Sequence, residues 1–162
     1  MRWLRNQRAV GGVTALLAVT ACAPPTEPDQ QTGPFTGQVK PVLYVADVET
    51  SAPFFRDVLG FEFLGYSNTN GTPYYAEMAA GSLKFGLHNA MNEKQEGWIG
   101  HQRIYFRVRD VRELRSQLIS HGASPGEMIE TDWMDMFIVR DLDGHEIVLA
   151  ATDPAKHSID PW

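Results

Sequence analysis

The residues with the most chemistry to offer fall at even spacings along four short alternating segments. If Leu43, Val45, Ile104, Phe106, Val108, Ile147 and Leu149 point inward, strand parity places Lys40, Tyr44, His88, Arg103, Tyr105 and Glu146 on the opposite face. Val42, Gly86 and Val148 share that parity, and Lys84 and Arg107 read as strand-end cations reaching solvent. A face that mixes rings with ammonium, guanidinium, imidazole and carboxylate groups is not a filled core, because burying unpaired charge costs several kcal/mol. It predicts an open or wet binding surface. Trp133 and Met136, like Trp98 and Met134, lie in or beside loops where large apolar groups can close over a planar ligand; core packing or a dimer contact is the rival role. His145 has helix-facing parity and reads as structural.

Several other chemistries are missing from the chain. It has no glycine-rich phosphate loop and no Gly-x-Ser-x-Gly elbow, and spacing identifies no general acid/base pair. Cys22 is the single cysteine, which excludes a disulfide framework and a zinc site built on cysteine pairs. Ser51 and Ser116 fall in helical segments and read as capping or solvent-facing.

With 162 residues, 43% hydrophobic and 21% charged, the chain can bury a core as one domain or two equivalent halves. Its net charge of −6 understates the acidity of the body. Arg2, Arg5 and Arg8 stand in a leading segment without acids; without them, 11 basic side chains face 20 acidic ones. Such a body repels phosphate backbones, so nucleic acid is excluded as a partner.

The three arginines precede Ala9 to Ala21, thirteen residues with no charge. That is short of the roughly 20 residues needed to cross a bilayer and matches the apolar region of an export signal. The run closes on Val19-Thr20-Ala21-Cys22, which resembles the bacterial lipobox. The resemblance implies a signal peptide over 1–21, cleavage before Cys22 and lipid attachment to its thiol; the other reading is ordinary cleavage beside an incidental cysteine. Acyl chains at Cys22 would make a lipid bilayer a partner, each buried CH₂ adding about 0.8 kcal/mol. Residues 22–37, rich in proline and polar residues, read as a tether. A folded domain over 38–152 and a tail over 153–162 complete the expected organisation, with the protein exported to the cell envelope.

The domain repeats itself. Val45-Ala46-Asp47-Val48 recurs as Val108-Arg109-Asp110-Val111 at an offset of 63, and Gly81 meets Gly144 at the same offset. Each copy, 38–90 and 101–151, reads as strand, helix and three strands. In the first, Thr50 or Ser51 caps a helix ending at Gly60 with Pro53 in its first turn, and strands run over Val39–Val45, Phe61–Tyr66, Tyr74–Met78 and Leu83–His88. In the second, a helix over Arg112–His121 follows strand Arg103–Val108 and precedes strands at Glu127–Thr131, Met134–Val139 and Glu146–Ala150. Asp141-Leu142-Asp143-Gly144 is a turn, and Asn89–Gly100 joins the copies as a loop.

Asp47, the pair Phe54-Phe55, the run Arg56-Asp57-Val58-Leu59-Gly60-Phe61 and the Asp-x-Asp-Gly turn resemble the vicinal oxygen chelate superfamily of glyoxalases, extradiol dioxygenases and fosfomycin- and bleomycin-resistance proteins. Leu142 stands where that family usually has proline. The resemblance implies an α+β fold of two βαβββ modules curled around a ligand cavity, often completed by a homodimer. It also implies a divalent metal held by the first and last strands of each module. Counting from Asp47 and Asp110, those positions hold Lys40, Gly86, Arg103 and Val148, none of them a replacement for His or Glu. A shift of one pleat brings up Gln38, His88, His101 and Glu146, a metal-competent but asymmetric alternative set. The expectation is therefore a lipid-anchored domain that binds a small molecule without metal or other cofactor, like the bleomycin-resistance branch, where sequestration gives antibiotic resistance. The alternatives are a lyase, dioxygenase or thiol transferase with a relocated divalent metal, and an envelope interaction module.

Overall fold

In the computed structural model, residues 39–152 are described. The lipobox cysteine Cys22, the signal and tether segments, Gln38 and the tail 153–162 lie outside them. The described chain is two copies of one unit. The first comprises β1 (Val42–Val45), α1 (Val48–Pro53) and β2 (Glu62–Thr69), β3 (Thr72–Ala80) and β4 (Leu83–Asn89). A single helical turn, α2 (Glu93–Glu96), joins the copies. The second has β5 (Arg103–Arg107), α3 (Val111–Ser120), β6 (Ile129–Glu130), β7 (Met134–Arg140) and β8 (Glu146–Thr152). Strand order is β1-β4-β3-β2 in one sheet and β5-β8-β7-β6 in the other, the same arrangement twice. The first pair in each is parallel and the rest are antiparallel.

The repeated Asp explains why the copies fold alike. Asp47 holds extended backbone (φ −153°, ψ 116°), and its carboxylate accepts from Glu49 N at 3.1 Å and Thr50 Oγ1 at 2.6 Å. Asp110, 63 residues on, accepts from Arg112 N and Glu113 N at 3.0 and 2.9 Å. Each thereby satisfies free N–H groups at a helix start. The cap is thus Asp47, and the expected caps Thr50 and Ser51 lie inside α1. The earlier start also moves Pro53 to the last position of α1 rather than its first turn. Beyond it the helix widens into a π turn over Phe54–Val58, closed by Leu59 N on Phe54 O at 3.2 Å. Proline has no N–H for the α ladder, a recurrent reason for a change of helical pitch.

Strand ends follow equally local causes. β1 begins at Val42 instead of Val39, because Pro41 cannot donate to a ladder; its carbonyl accepts from Gly86 N at 2.9 Å. Asn70 and Gly71, both at positive φ (51° and 83°), make the tight β2–β3 connection, so β2 runs past Tyr66 to Thr69. β6 keeps only Ile129 and Glu130 of the expected five residues.

Alternation then builds the core. Leu43, Val45, Met78, Phe85 and Leu87 are buried under α1, and Phe137, Val139, Ile147 and Leu149 under α3. Phe106 joins the copies, its ring centroid 4.7 Å from Phe61 and 5.3 Å from Phe85. No helix among the described residues is long and apolar enough to cross a membrane.

Candidate functional site

The sheet face away from the helices carries a cluster of rings. Tyr44 and Tyr75 are both register partners of His88, from the strands on either side of it. Their ring centroids lie 5.6 and 5.9 Å from the imidazole, and that of Tyr74 lies at 5.6 Å. Trp98, just beyond α2, stacks obliquely on Tyr44 at 5.2 Å. The short α2 turn, capped by Asn92, directs this chain segment back over β1, and its Gln95 Nε2 reaches Tyr44 Oη at 3.4 Å. Four aromatic side chains thus gather around one imidazole. His88 Nδ1 lies 2.6 Å from the Asn89 carbonyl, which can only accept, so Nδ1 carries the proton and Nε2 of the neutral ring is an acceptor.

Two ammonium groups lie on these rings: Lys94 Nζ at 5.5 Å from the Trp98 centroid and Lys40 Nζ at 5.1 Å from that of Tyr75. Lys40 also pairs with Glu77 at 3.0 Å and holds that carboxyl below its usual range. Tyr75 lies flat over Gly86, where an added Cβ would sit 2.4 Å from the ring. Only glycine leaves room for it.

The second sheet presents a polar patch on the corresponding face. Glu146 accepts from Arg103 Nε at 2.6 Å and from Arg140 Nη2 at 2.8 Å. The two guanidiniums, Arg103 first, hold its carboxyl below the ordinary glutamate range. Arg103, Arg140, Glu146 and His101 line a cavity of about 370 Å³ with Gly100, Gln102 and Gly144. Tyr105 is 41% exposed on the same strand as Arg103. Trp133 and Met136 stand at the far end of β7, where Met136 pairs with Ala150 and Ile129.

Gln102 and His145 lock the copies together at β1. Gln102 Oε1 accepts from Tyr44 N at 2.7 Å and its Nε2 donates to Val42 O at 2.9 Å, so one side-chain amide satisfies the free edge of β1 as a neighbouring strand would. The fully buried His145 donates from Nε2 to Tyr44 O at 2.8 Å while Nδ1 accepts from Gln102 N at 3.3 Å, the structural role its parity indicated. Asp143 Oδ2 accepts from Ala46 N at 3.2 Å. Asp141 Oδ1 accepts from Asp143 N and His145 N at 3.1 and 2.8 Å, and burial pushes its carboxyl above the usual range.

The family's metal positions do not fit a metal. Lys40 and Arg103 are paired cations, Gly86 lies beneath Tyr75 and Val148 is 1% exposed. The shifted set is not brought together either. His88 belongs to the ring cluster, Glu146 is bound by two arginines, exposed His101 lies at the polar cavity and Gln38 is outside the described residues. Among the described residues, only Asp141, Asp143 and His145 bring three metal-competent ligand atoms within 4.8 Å of one another, and both nitrogens of His145 serve the joint between copies.

Of the residues singled out from sequence, Tyr44 and His88 meet in the ring cluster, with Lys40 on its Tyr75, and Arg103 meets Glu146; Trp133 and Met136, at the start of β7, join neither group. Sequence reasoning missed Tyr74, Tyr75, Glu77, Gln102 and Arg140. Parity along β3 would have found Tyr75 and Glu77, which face His88 and Gly86 in register. No pattern in the sequence marks Gln102.

The family model described as Glyoxalase/Bleomycin resistance protein/Dioxygenase superfamily matches residues 37–149. A search of curated proteins gave no match. Among solved structures, TnmS3, an antibiotic-binding protein from Streptomyces sp. CB03234, superposes with a TM-score of 0.62 at 19% identity, over 74% of this chain and 99% of that one. The bleomycin-binding protein of Streptomyces verticillus, in complex with copper(II)-bleomycin, gives 0.58 at 19% identity over 71% and 95%. An integron cassette protein of V. cholerae gives 0.57 at 23% identity over 72% and 96%.

Proposed function

The chain belongs to the glyoxalase/bleomycin resistance protein/dioxygenase superfamily, and from that membership we propose that it binds a planar small molecule on its ring-lined face and holds it without metal. The observation that carries this reading is the cluster of Tyr44, Tyr74, Tyr75 and Trp98 around His88, on a scaffold whose metal positions hold Lys40, Gly86, Arg103 and Val148. Rings in offset or edge contact contribute about 0.5–1.5 kcal/mol each beyond the apolar area they cover. A flat ligand against two of them therefore gains on the order of 1–3 kcal/mol from ring contacts alone. His88 Nε2 offers that ligand one acceptor. The antibiotic-binding and bleomycin-binding neighbours support binding as the mode of action.

Two further parts of the proposal come from sequence. Lipid attachment at Cys22 would tether the domain to an envelope membrane, and a second copy of the chain would close the open face. Elemental analysis after incubation with Zn²⁺, Mn²⁺, Fe²⁺ and Ni²⁺, followed by a thermal-shift screen of planar ligands, tests the binding reading. It requires no stoichiometric metal and a stabilising planar ligand. One metal per chain, lost in a His88→Ala, His101→Ala variant, would overturn it in favour of a metal-dependent catalyst.

A further inference from the structure

A second cavity lies apart from the ring cluster. It measures about 580 Å³ and is walled by Phe54, Ala123, Ile129, Ile138 and Leu142, with Glu127 as its acidic member and Arg140 as its basic one. Arg140 also lines the polar cavity of about 370 Å³ that contains Arg103 and Glu146. One arginine is therefore common to an apolar chamber and a cationic one.

The charge balance gives that juxtaposition a direction. Glu146 receives both Arg103 and Arg140, one on each carboxylate oxygen, so two guanidiniums share a single negative charge. Their side chains stay 51% and 70% exposed, and the pair has more N–H donors than one carboxylate can take up. On a chain of net charge −6 this is a local excess of positive charge with planar, fork-shaped donors, the geometry that suits a carboxylate or phosphate. Two of the apolar wall residues, Ile129 at 40% and Leu142 at 56% exposure, remain uncovered beside it.

We propose that these adjoining cavities bind a small amphiphilic anion, its apolar body against Phe54, Ile129, Ile138 and Leu142 and its acidic head on Arg103 and Arg140. Glu127 fixes the polarity, since it disfavours an acid head at the apolar end. Free amphiphilic acids and anionic lipids share this chemistry.

Calorimetric titration of the full chain without detergent, below each probe's micelle concentration, tests the inference with butanoate, hexanoate, octanoate, decanoate and decyltrimethylammonium. Affinity should rise about two- to fourfold per added methylene. Decanoate should bind well ahead of the cation, and Arg140→Gln should weaken decanoate at least about tenfold, the worth of a hydrogen bond to a charged group. Leu142→Ser, in an exposed turn, should flatten the chain-length series. Arg140-dependent association with phosphatidylglycerol vesicles but not with phosphatidylcholine would identify a lipid as the source; decanoate binding alone would identify a free acid. No binding, equal affinity for cation and anion, no dependence on chain length, or an Arg140→Gln variant that binds like the parent would each overturn the proposal. Neither variant touches the ring cluster, so both keep the planar-ligand response, and failure here is distinguishable from failure of the ring-face reading.

Discussion

Gln102 offers a sharp test of how the two copies are joined. Its amide completes the edge of β1 with one acceptor and one donor, to Tyr44 N at 2.7 Å and Val42 O at 2.9 Å, both half-buried. A net hydrogen bond stabilises by about 0.5–1.5 kcal/mol, so Gln102→Ala should cost about 1–3 kcal/mol for the two, with water re-covering part of the exposed edge. For a domain of this size that is a fall in Tm of roughly 4–12 °C. Gln102→Glu separates donor from acceptor. Its carboxylate still accepts from Tyr44 N but sets a second negative oxygen against Val42 O, which favours the protonated acid and raises the folded-state pKa. The sign follows from linkage: the folded state binds the proton more tightly, so the variant is most stable below the unfolded pKa and loses stability as pH rises through the raised folded value. Thermal unfolding of parent, Ala and Glu variants across pH reads this directly. The Glu variant should approach the parent in acid and fall to or below the Ala variant at neutral pH. A Glu variant as stable as the parent at neutral pH, or one with no acid recovery, would refute the reasoning.

The same joint gives a second prediction of opposite sign. Burial raises the Asp141 pKa, so its ionised form opposes folding once pH exceeds the unfolded value, increasingly so up to the folded one. Asp141→Asn keeps an acceptor for Asp143 N and His145 N and removes the charge, which should raise Tm at neutral pH and change it little in acid; a lower Tm at neutral pH would contradict this. At the ring cluster, Gly86→Ala must displace Tyr75, 2.4 Å from the new Cβ, with loss of its contacts to His88 and Lys40. Denaturant titration should show a cost of about 1–2 kcal/mol that largely disappears in a Tyr75→Ala background, whereas an unchanged cost there would place the strain elsewhere.

The features legible in the sequence are those set by short-range pattern. The 63-residue offset pairs Asp47 with Asp110, and both prove to be the caps that start equivalent helices. Two-residue alternation placed Tyr44 and His88 on one face, with Leu43 and Val45 in the core, because side chains on a strand have no other choice. Features that depend on contact between the copies were not legible. Gln102 has no distinguishing neighbours in sequence, and its role exists only because β1 presents a free edge to it. Arg140 became part of the polar patch only through its register with Glu146 across the β7–β8 turn. Thr50 and Ser51 are good caps in isolation, but Asp47, one turn earlier where β1 ends, is the residue that caps α1.

The proposed binding mode has a planar molecule lodged among the rings around His88. NMR of the full chain, following the His88 imidazole while a planar ligand from the thermal-shift screen is titrated in, tests it most directly. Titration should give a saturable shift of the His88 resonances, with binding weakened about tenfold or more in a Trp98→Ala, Tyr44→Ala variant, as expected when two stacking partners are removed. A ligand that stabilises the protein while leaving His88 unmoved, or that binds the variant as tightly as the parent, would contradict it.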